Sequence, residues 1–307
     1  MNISPIVKHL VLIGGGHSHL AVLRQLGMHP VPGLAVTLIT REVVTPYSGS
    51  LPAHLAGHYN RDLMHIDLRP LAQFADACLI QSEVTAINLN DRSIKLGTRP
   101  DIPFDCLSLN IGSRPDSALI TGATDHALAV KPIDRFLGNW ESIKQQASAA
   151  MAAGQDYRLA IVGGGPASVE LAFASQIAID PVESGNKQAP GRLQIILVSA
   201  GKQLLSGHNA RSREFVRQEL VRRGIEIRFS SRVDRFDKNR LVLTDGTELK
   251  CDSAIYATGA SLPEWPFQCG LAKSVDGFIE VGPTLQTTSH DFVFAAGDAA
   301  TIRNEPR

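Results

Sequence analysis

Two triple-glycine segments, Gly14-Gly15-Gly16 and Gly163-Gly164-Gly165, are the residues best placed by type and spacing to do chemistry. Each ends an apolar, β-branched run and opens an amphipathic helical pattern. Residues 9–26 read HLVLIGGGHSHLAVLRQL, and residues 158–175 read RLAIVGGGPASVELAFAS. Gly14 and Gly163 permit a tight turn from strand into helix, while Gly16 and Gly165 lack a Cβ, so a pyrophosphate can approach the backbone. The helix that follows aims free N–H groups and a partial positive charge at that anion. Gly15, His17 and Pro166 complete the two turns as neighbours of the phosphate. One such fingerprint is weak evidence; two, each between a strand and a helix, point strongly to two dinucleotide sites.

Both copies depart from the usual fingerprint. The third glycine is His19 in the first and Ser168 in the second. Serine still packs closely, but histidine is bulky where helix and strand touch. Either the first helix shifts or His19 points to the ligand. The carboxylate expected after the second strand, where it takes both ribose hydroxyls, is missing from both copies. The first ends Thr40-Arg41-Glu42, where Thr40 can make one hydrogen bond and Glu42 can reach back. The second ends Val198-Ser199-Ala200, which leaves the choice between the two nicotinamide nucleotides open, with Lys202 a hint toward the phosphorylated form. Histidines 17, 19, 54, 58 and 65 lack HExxH spacing and partner cysteines, so no metal site is expected. Cys78, Cys106, Cys251 and Cys269 form no CxxC pair, which fits ordinary thiols in a reducing, cytoplasmic setting.

The elements that must position these residues follow one plan, used twice. Apolar runs at 35–39 and 193–198 complete a βαβ unit in each half. Residues 82–96 read as a hairpin turning at Asn90-Asp91, and residues 240–249 as another around Asp245-Gly246. Strands at 104–109 and 253–256 end in Ile111-Gly112-Ser113 and Ala257-Thr258-Gly259, a matched pair. Residues 209–223 read as a helix stopped by Gly224, residues 133–153 as a helical stretch, and residues 180–191 as a polar surface loop. The fold class is α/β with two Rossmann-like dinucleotide-binding domains. The second, 119–287, is inserted in the first, 1–118 and 288–307. A length of 307 residues suits two domains. Lysine plus arginine balances aspartate plus glutamate, 30 against 30, so no large field recruits nucleic acid or an anionic membrane. No apolar run is long enough to cross a bilayer, and residues 1–16 read as a first strand rather than a signal peptide.

The segments GGGHSH, NIGSRP, GGGPASVE, YATGA and FAAGDAA, in this order, resemble the two-dinucleotide-binding flavoproteins. These are the pyridine nucleotide–disulfide oxidoreductases and type II NADH dehydrogenases. The wording GGGHSH, TPYSGSLPAHLAGHY and HIDLRPLA is most similar to the NADH dehydrogenase-like module fused to selenide, water dikinase. The resemblance implies FAD on Gly14 and Gly16, with the Val84 backbone at the adenine. Asp298 is then either the acceptor for the ribityl chain or a simple turn residue. It implies NADH or NADPH on Gly163 and Gly165, with Gly112, Ser113 and Gly259 lining the cofactors. Glu170 resembles a catalytic glutamate near the nicotinamide and flavin, and otherwise reads as a charge favoured by the helix dipole. Tyr47, Ser48 and Gly49 resemble a loop that meets the flavin ring, and read equally well as a plain turn. Relatives continue past FAAGDAAT into an interface domain that carries dimer contacts or a membrane-binding helix. Arg307 ends the sequence before it, so weak FAD retention is expected, and membrane contact only through that region. The implied reaction is hydride transfer from NAD(P)H, with electrons passed to a small-molecule acceptor such as a quinone. One alternative is reduction of sulfur or selenium compounds beside a selenide, water dikinase domain, with Cys78 and Cys106 the only early thiols. Another is a nucleotide-binding remnant without turnover.

Overall fold

The run Lys8–Ile13 forms the central strand of a five-stranded parallel sheet because both of its faces are covered by apolar side chains. Leu12 faces one side with Leu23, Leu38 and Leu68, under the helices His17–Met28 and Leu68–Phe74. Val11 and Ile13 face the other with Ile87, Ile94 and Leu107. The strands lie in the order Val293–Ala295, Cys106–Leu109, Lys8–Ile13, Leu34–Thr40 and Cys78–Gln81. All four pairings are parallel. The computed structural model describes residues 5–97, 99–115, 120–180 and 190–305. The expected loop at 180–191 falls almost wholly outside the described residues, as does the expected domain boundary at 118.

The second sheet repeats the first. Its strands run Leu128–Ala129, Ser253–Tyr256, Tyr157–Val162, Leu193–Val198 and Glu226–Arg228, again all parallel. Each sheet therefore reverses its strand order beside its central strand, Lys8–Ile13 or Tyr157–Val162. Open α/β sheets bind ligands at such a reversal, outside the carboxyl ends of the strands. Both hairpins form, each within a three-stranded antiparallel sheet. Ala86–Asn88 and Ser93–Leu96 pair at Ile87↔Ile94, and Arg240–Leu243 pairs with Glu248–Lys250 at Leu241↔Leu249. The charged strands Arg99–Pro103 and Val233–Asp237 complete these sheets. Helices Ile133–Ala152, Pro166–Ile179 and Ala210–Arg222 belong to the second unit. The last is capped by Asn209, whose side-chain oxygen accepts from Ser212 N at 2.9 Å. No described helix is long and apolar enough to cross a membrane.

The division of the chain differs from the expected one in two places. The first compact unit is Met1–Thr45, His65–Arg114 and Ala260–Arg307; the second is Pro46–Met64 and Pro115–Gly259. Residues 260–287, expected in the second domain, lie in the first, because Leu262, Leu271, Phe278, Ile279 and Val281 share a core with Val11 and Leu107. Ile279–Val281 also pairs with Ala300–Ile302. Residues 46–64, expected in the first domain, lie in the second. Leu51, Leu55 and Met64 are buried there with Val169, Leu171 and Trp140.

Candidate functional site

In the first unit, three chain segments converge at the carboxyl end of the sheet and are tied by Asn110. Gly14 N donates to Ile39 O at 2.8 Å, and Gly14 takes a φ of +97°, a left-handed region that suits glycine. Asn110 N donates to Ile13 O at 2.9 Å, and Asn110 Nδ2 donates to Ala296 O at 2.8 Å. A Cβ on Gly14 would strike the Asn110 carbonyl, one on Gly16 its Oδ1, and one on Gly297 its Nδ2. The Asn110 side chain thus fills the space left by Gly16 and Gly297, and its backbone carbonyl the space left by Gly14. Asn110 is 5 % exposed, and its Oδ1 has no hydrogen-bond partner among the described residues. The helix His17–Met28 opens with no side-chain cap and no acid in its first turn, so its positive end suits an anion. Ser113 Oγ donates to Asp298 Oδ2 at 3.4 Å, and Asp298 is exposed in the short turn Gly297–Ala299. Gly112, at a φ of +68°, has open space where a side chain would be.

His19 does not point to a ligand. It is 1 % exposed, with Nδ1 2.6 Å from Gly14 O and Nε2 2.9 Å from Ser108 Oγ. The Gly14 carbonyl can only accept, so Nδ1 carries the proton and Nε2 accepts from the Ser108 hydroxyl. Burial lowers the His19 pKa to about 4, which keeps the ring neutral. The imidazole therefore bolts the glycine turn to the strand Cys106–Leu109, where other fingerprints have a third glycine. Nearby, Thr40 Oγ1 donates to Glu42 O at 2.9 Å, which leaves its lone pairs as acceptors. Arg41 stands 3.9 Å from Glu83, both exposed. The Val84 side chain is buried in the core. Tyr47, expected beside the first cofactor, lies in the second unit with Ser48 and Gly49 and is 42 % exposed.

The second unit builds the same turn with smaller residues. Gly163 N donates to Val198 O at 2.9 Å, and Ala257 N donates to Val162 O at 2.9 Å, which makes Ala257 the counterpart of Asn110. A Cβ on Gly163 would collide with Ser168 Oγ and come within 3.1 Å of Ala257 O. Ser168 is fully buried, and its hydroxyl has no hydrogen-bond partner among the described residues. Gly164 lies against Ser199 Oγ, while a Cβ on Gly165 would meet nothing within 4 Å. Pro166 opens the helix Pro166–Ile179 in a first-turn position, where it forfeits no hydrogen bond. Gly259 takes a φ of +52° in open space. Glu170 is neither buried nor in the first turn. It is exposed, because Val169, Leu171 and Ala172 take the inward positions around it.

The thiols stand away from these turns. Cys78 and Cys106 begin their strands at the amino edge of the sheet, opposite the glycine turn. Two strands separate them, a distance of roughly 14 Å at ordinary strand spacing. Burial raises the pKa of Cys106 and Cys269, and pushes that of Cys251 up to about 11. Asn110 was the residue that sequence reasoning passed over. Its signal was an amide in NIGSRP at the place where YATGA has alanine.

Two turns of this kind, each with glycines at the carboxyl end of a central strand and an uncapped helix behind them, fit the pyrophosphates of two dinucleotides. Comparison with known proteins agrees. The profile of the pyridine nucleotide-disulphide oxidoreductase family matches residues 8–307. Type II NADH:quinone oxidoreductase of Haemophilus influenzae is 25 % identical over 330 residues, covering 96 % of this chain and 74 % of that protein. Human ferroptosis suppressor protein 1 is 26 % identical over 316 residues, with the same two shares of 96 % and 74 %. Among solved structures, NDH2 from Plasmodium falciparum in complex with NADH superposes with a TM-score of 0.77 at 17 % identity, over 96 % of this chain and 65 % of that one. Reduced Bacillus anthracis CoADR-RHD gives a TM-score of 0.77 at 20 % identity, over 95 % of this chain and 51 % of that one. The structural matches establish the fold; the present chain spans 51 % and 65 % of those two solved chains.

Proposed function

This chain belongs to the pyridine nucleotide-disulphide oxidoreductase family, and from that premise we propose that it is an FAD-dependent NAD(P)H oxidoreductase delivering electrons to a small acceptor, a quinone foremost. The observation that carries the reading is the repeated turn: two parallel sheets of one strand order, each with three glycines at the carboxyl end of its central strand. FAD, when bound, supplies the redox chemistry, accepting hydride and releasing electrons.

The residues of the chain bind and orient. The 14–16 turn and the amino end of His17–Met28 hold the FAD pyrophosphate through backbone N–H groups. Asp298 accepts from the ribityl hydroxyls, and the Ser113 hydroxyl steadies its carboxylate. Thr40 and Arg41 face the adenosine ribose, and the Val84 backbone the adenine. The 163–165 turn and Pro166–Ile179 hold the nicotinamide nucleotide, with Gly259 leaving room and Ser199 at its ribose. Glu170, exposed on that helix, is free to meet the nicotinamide end.

A direct route from flavin to acceptor is supported by where the thiols stand. None is paired, and Cys78 and Cys106 lie at the wrong edge of the sheet for a relay. Free thiols also fit a reducing compartment such as the cytoplasm. A partnership with selenide, water dikinase has no support beyond the sequence wording. The test is steady NAD(P)H oxidation by FAD-loaded protein with a water-soluble quinone, in the wild type and in Cys78→Ser/Cys106→Ser. Both proteins are expected to turn over at rates within about twofold, since Cys78 is exposed on an edge strand, Cys106 is only partly buried at the start of its strand, and serine nearly matches cysteine in size. Loss of turnover in the variant alone would put a thiol in the electron path. No quinone-dependent oxidation by either would remove quinone as the acceptor.

A further inference from the structure

We infer that the second dinucleotide site takes NADPH in preference to NADH, with Lys202 and Arg232 recognising the 2′-phosphate. The inference rests on the reading of the 163–165 turn as the nicotinamide nucleotide site. In a βαβ unit the residue after the second strand meets the adenosine ribose. A carboxylate there binds both hydroxyls and repels a phosphate, whereas a nearby cation accommodates one. Here the residue is Ser199, 2 % exposed, whose hydroxyl accepts from Gly201 N at 3.2 Å. Residues 199–209, SAGKQLLSGHN, contain no carboxylate at all.

The loop that carries Lys202 is held in place on both sides. Ser199 N donates to Arg228 O at 2.8 Å, Ser231 N to Ser199 O at 2.8 Å, and Ser230 N to Gly201 O at 3.0 Å. Leu204 and Leu205 are buried just beyond, and Leu205 N donates to Gly164 O at 2.8 Å. Lys202 is thus presented from a turn that is bonded directly to the glycine turn and to the neighbouring strand. Three cationic residues, Lys202, Arg228 and Arg232, belong to this one edge. Arg228 is already committed, with Nε 2.5 Å from Glu226 Oε1. Lys202 and Arg232 are exposed and make no ion pair among the described residues. A ribose 2′-hydroxyl finds no carboxylate in residues 199–209, and the one on the neighbouring strand, Glu226, is taken by Arg228. A 2′-phosphate finds two uncompensated cations.

The experiment measures binding by calorimetry to protein kept saturated with FAD, so that only the second site is open. The ligands are adenosine 2′,5′-bisphosphate and 5′-AMP, and neither requires turnover. The wild type is expected to bind the bisphosphate about tenfold or more tightly than 5′-AMP, the worth of charge-assisted phosphate contacts. In Lys202→Gln/Arg232→Gln the ratio is expected to fall to about one, with 5′-AMP affinity unchanged, since both side chains are exposed. Equal or weaker binding of the bisphosphate by the wild type overturns the inference, as does a ratio unmoved in the variant. Binding of neither ligand overturns the reading of the 163–165 turn itself, a result distinct from equal binding of both.

Discussion

Replacing His19 by glycine, which restores the third glycine of the dinucleotide fingerprint, is expected to destabilise the protein by about 3 kcal/mol and to weaken FAD binding. The imidazole is 1 % exposed and links Gly14 O to Ser108 Oγ. Glycine would leave a cavity, an unpaired buried hydroxyl and a glycine turn released from its neighbouring strand. Urea unfolding at neutral pH, with and without FAD, checks both effects. A variant as stable as the wild type would mean that the helix closes onto the strand as in an ordinary fingerprint. The same residue predicts a pH dependence. Burial lowers the folded-state pKa of His19 from 6.5 to about 4. Between those values the unfolded chain takes a proton that the native state refuses, so stability falls as pH drops below 6.5. The full span from 6.5 to about 4 corresponds to about 3 kcal/mol, while stability above pH 7 is untouched. In His19→Gln this part of the acid limb is expected to vanish, which a comparison of the two unfolding profiles from pH 7.5 to 5 reads directly.

The second large effect belongs to Gly16. Its φ of −74° suits any residue, so Gly16→Ala tests space rather than backbone freedom. The new methyl would collide with Asn110 Oδ1, and Asn110 cannot yield, because its Nδ2 is held by Ala296 O at 2.8 Å. Overpacking of this kind costs about 2 kcal/mol, and the methyl also stands where the pyrophosphate must approach. FAD affinity is expected to fall about a hundredfold. Asn110→Ala in the same chain removes the obstructing amide and is expected to recover most of the lost stability. It should recover less of the affinity, because the Asn110 carbonyl stays within 3.0 Å of the new methyl. Wild-type FAD binding by Gly16→Ala would contradict the packing around Asn110, and no gain in stability in the double variant would assign the loss to another neighbour.

Much of the fold could be read along the sequence because the signals are local. Apolar runs end in glycine at Gly14, Gly112, Gly163 and Gly259, and the expected strands at 193–198 and 253–256 form with those bounds. What the sequence concealed depends on partners far along the chain. The histidine at position 19 is explained by Ser108, and Asn110 by Ala296, neither of which any periodicity joins to it. The same holds for residues 46–64 and 260–287. Their apolar side chains announce burial without naming the core that takes them. The exposure of Glu170 was not legible either, since an apolar run around an acid does not say which way one helix position faces. The ribose edge was half legible. The missing acid is plain at Ser199, but only the structure shows that Arg228 is paired with Glu226 while Lys202 makes no ion pair among the described residues.

The central claim, one flavin site and one nicotinamide nucleotide site in a single chain, is tested most directly by visible absorption of the purified protein. The spectrum is taken as FAD is titrated in, and again without air after NADPH or NADH. Flavin bands that shift on binding, saturate near one equivalent and bleach on addition of the nicotinamide nucleotide are expected. Protein that binds no added flavin, or a bound flavin that neither nucleotide bleaches, would contradict the claim.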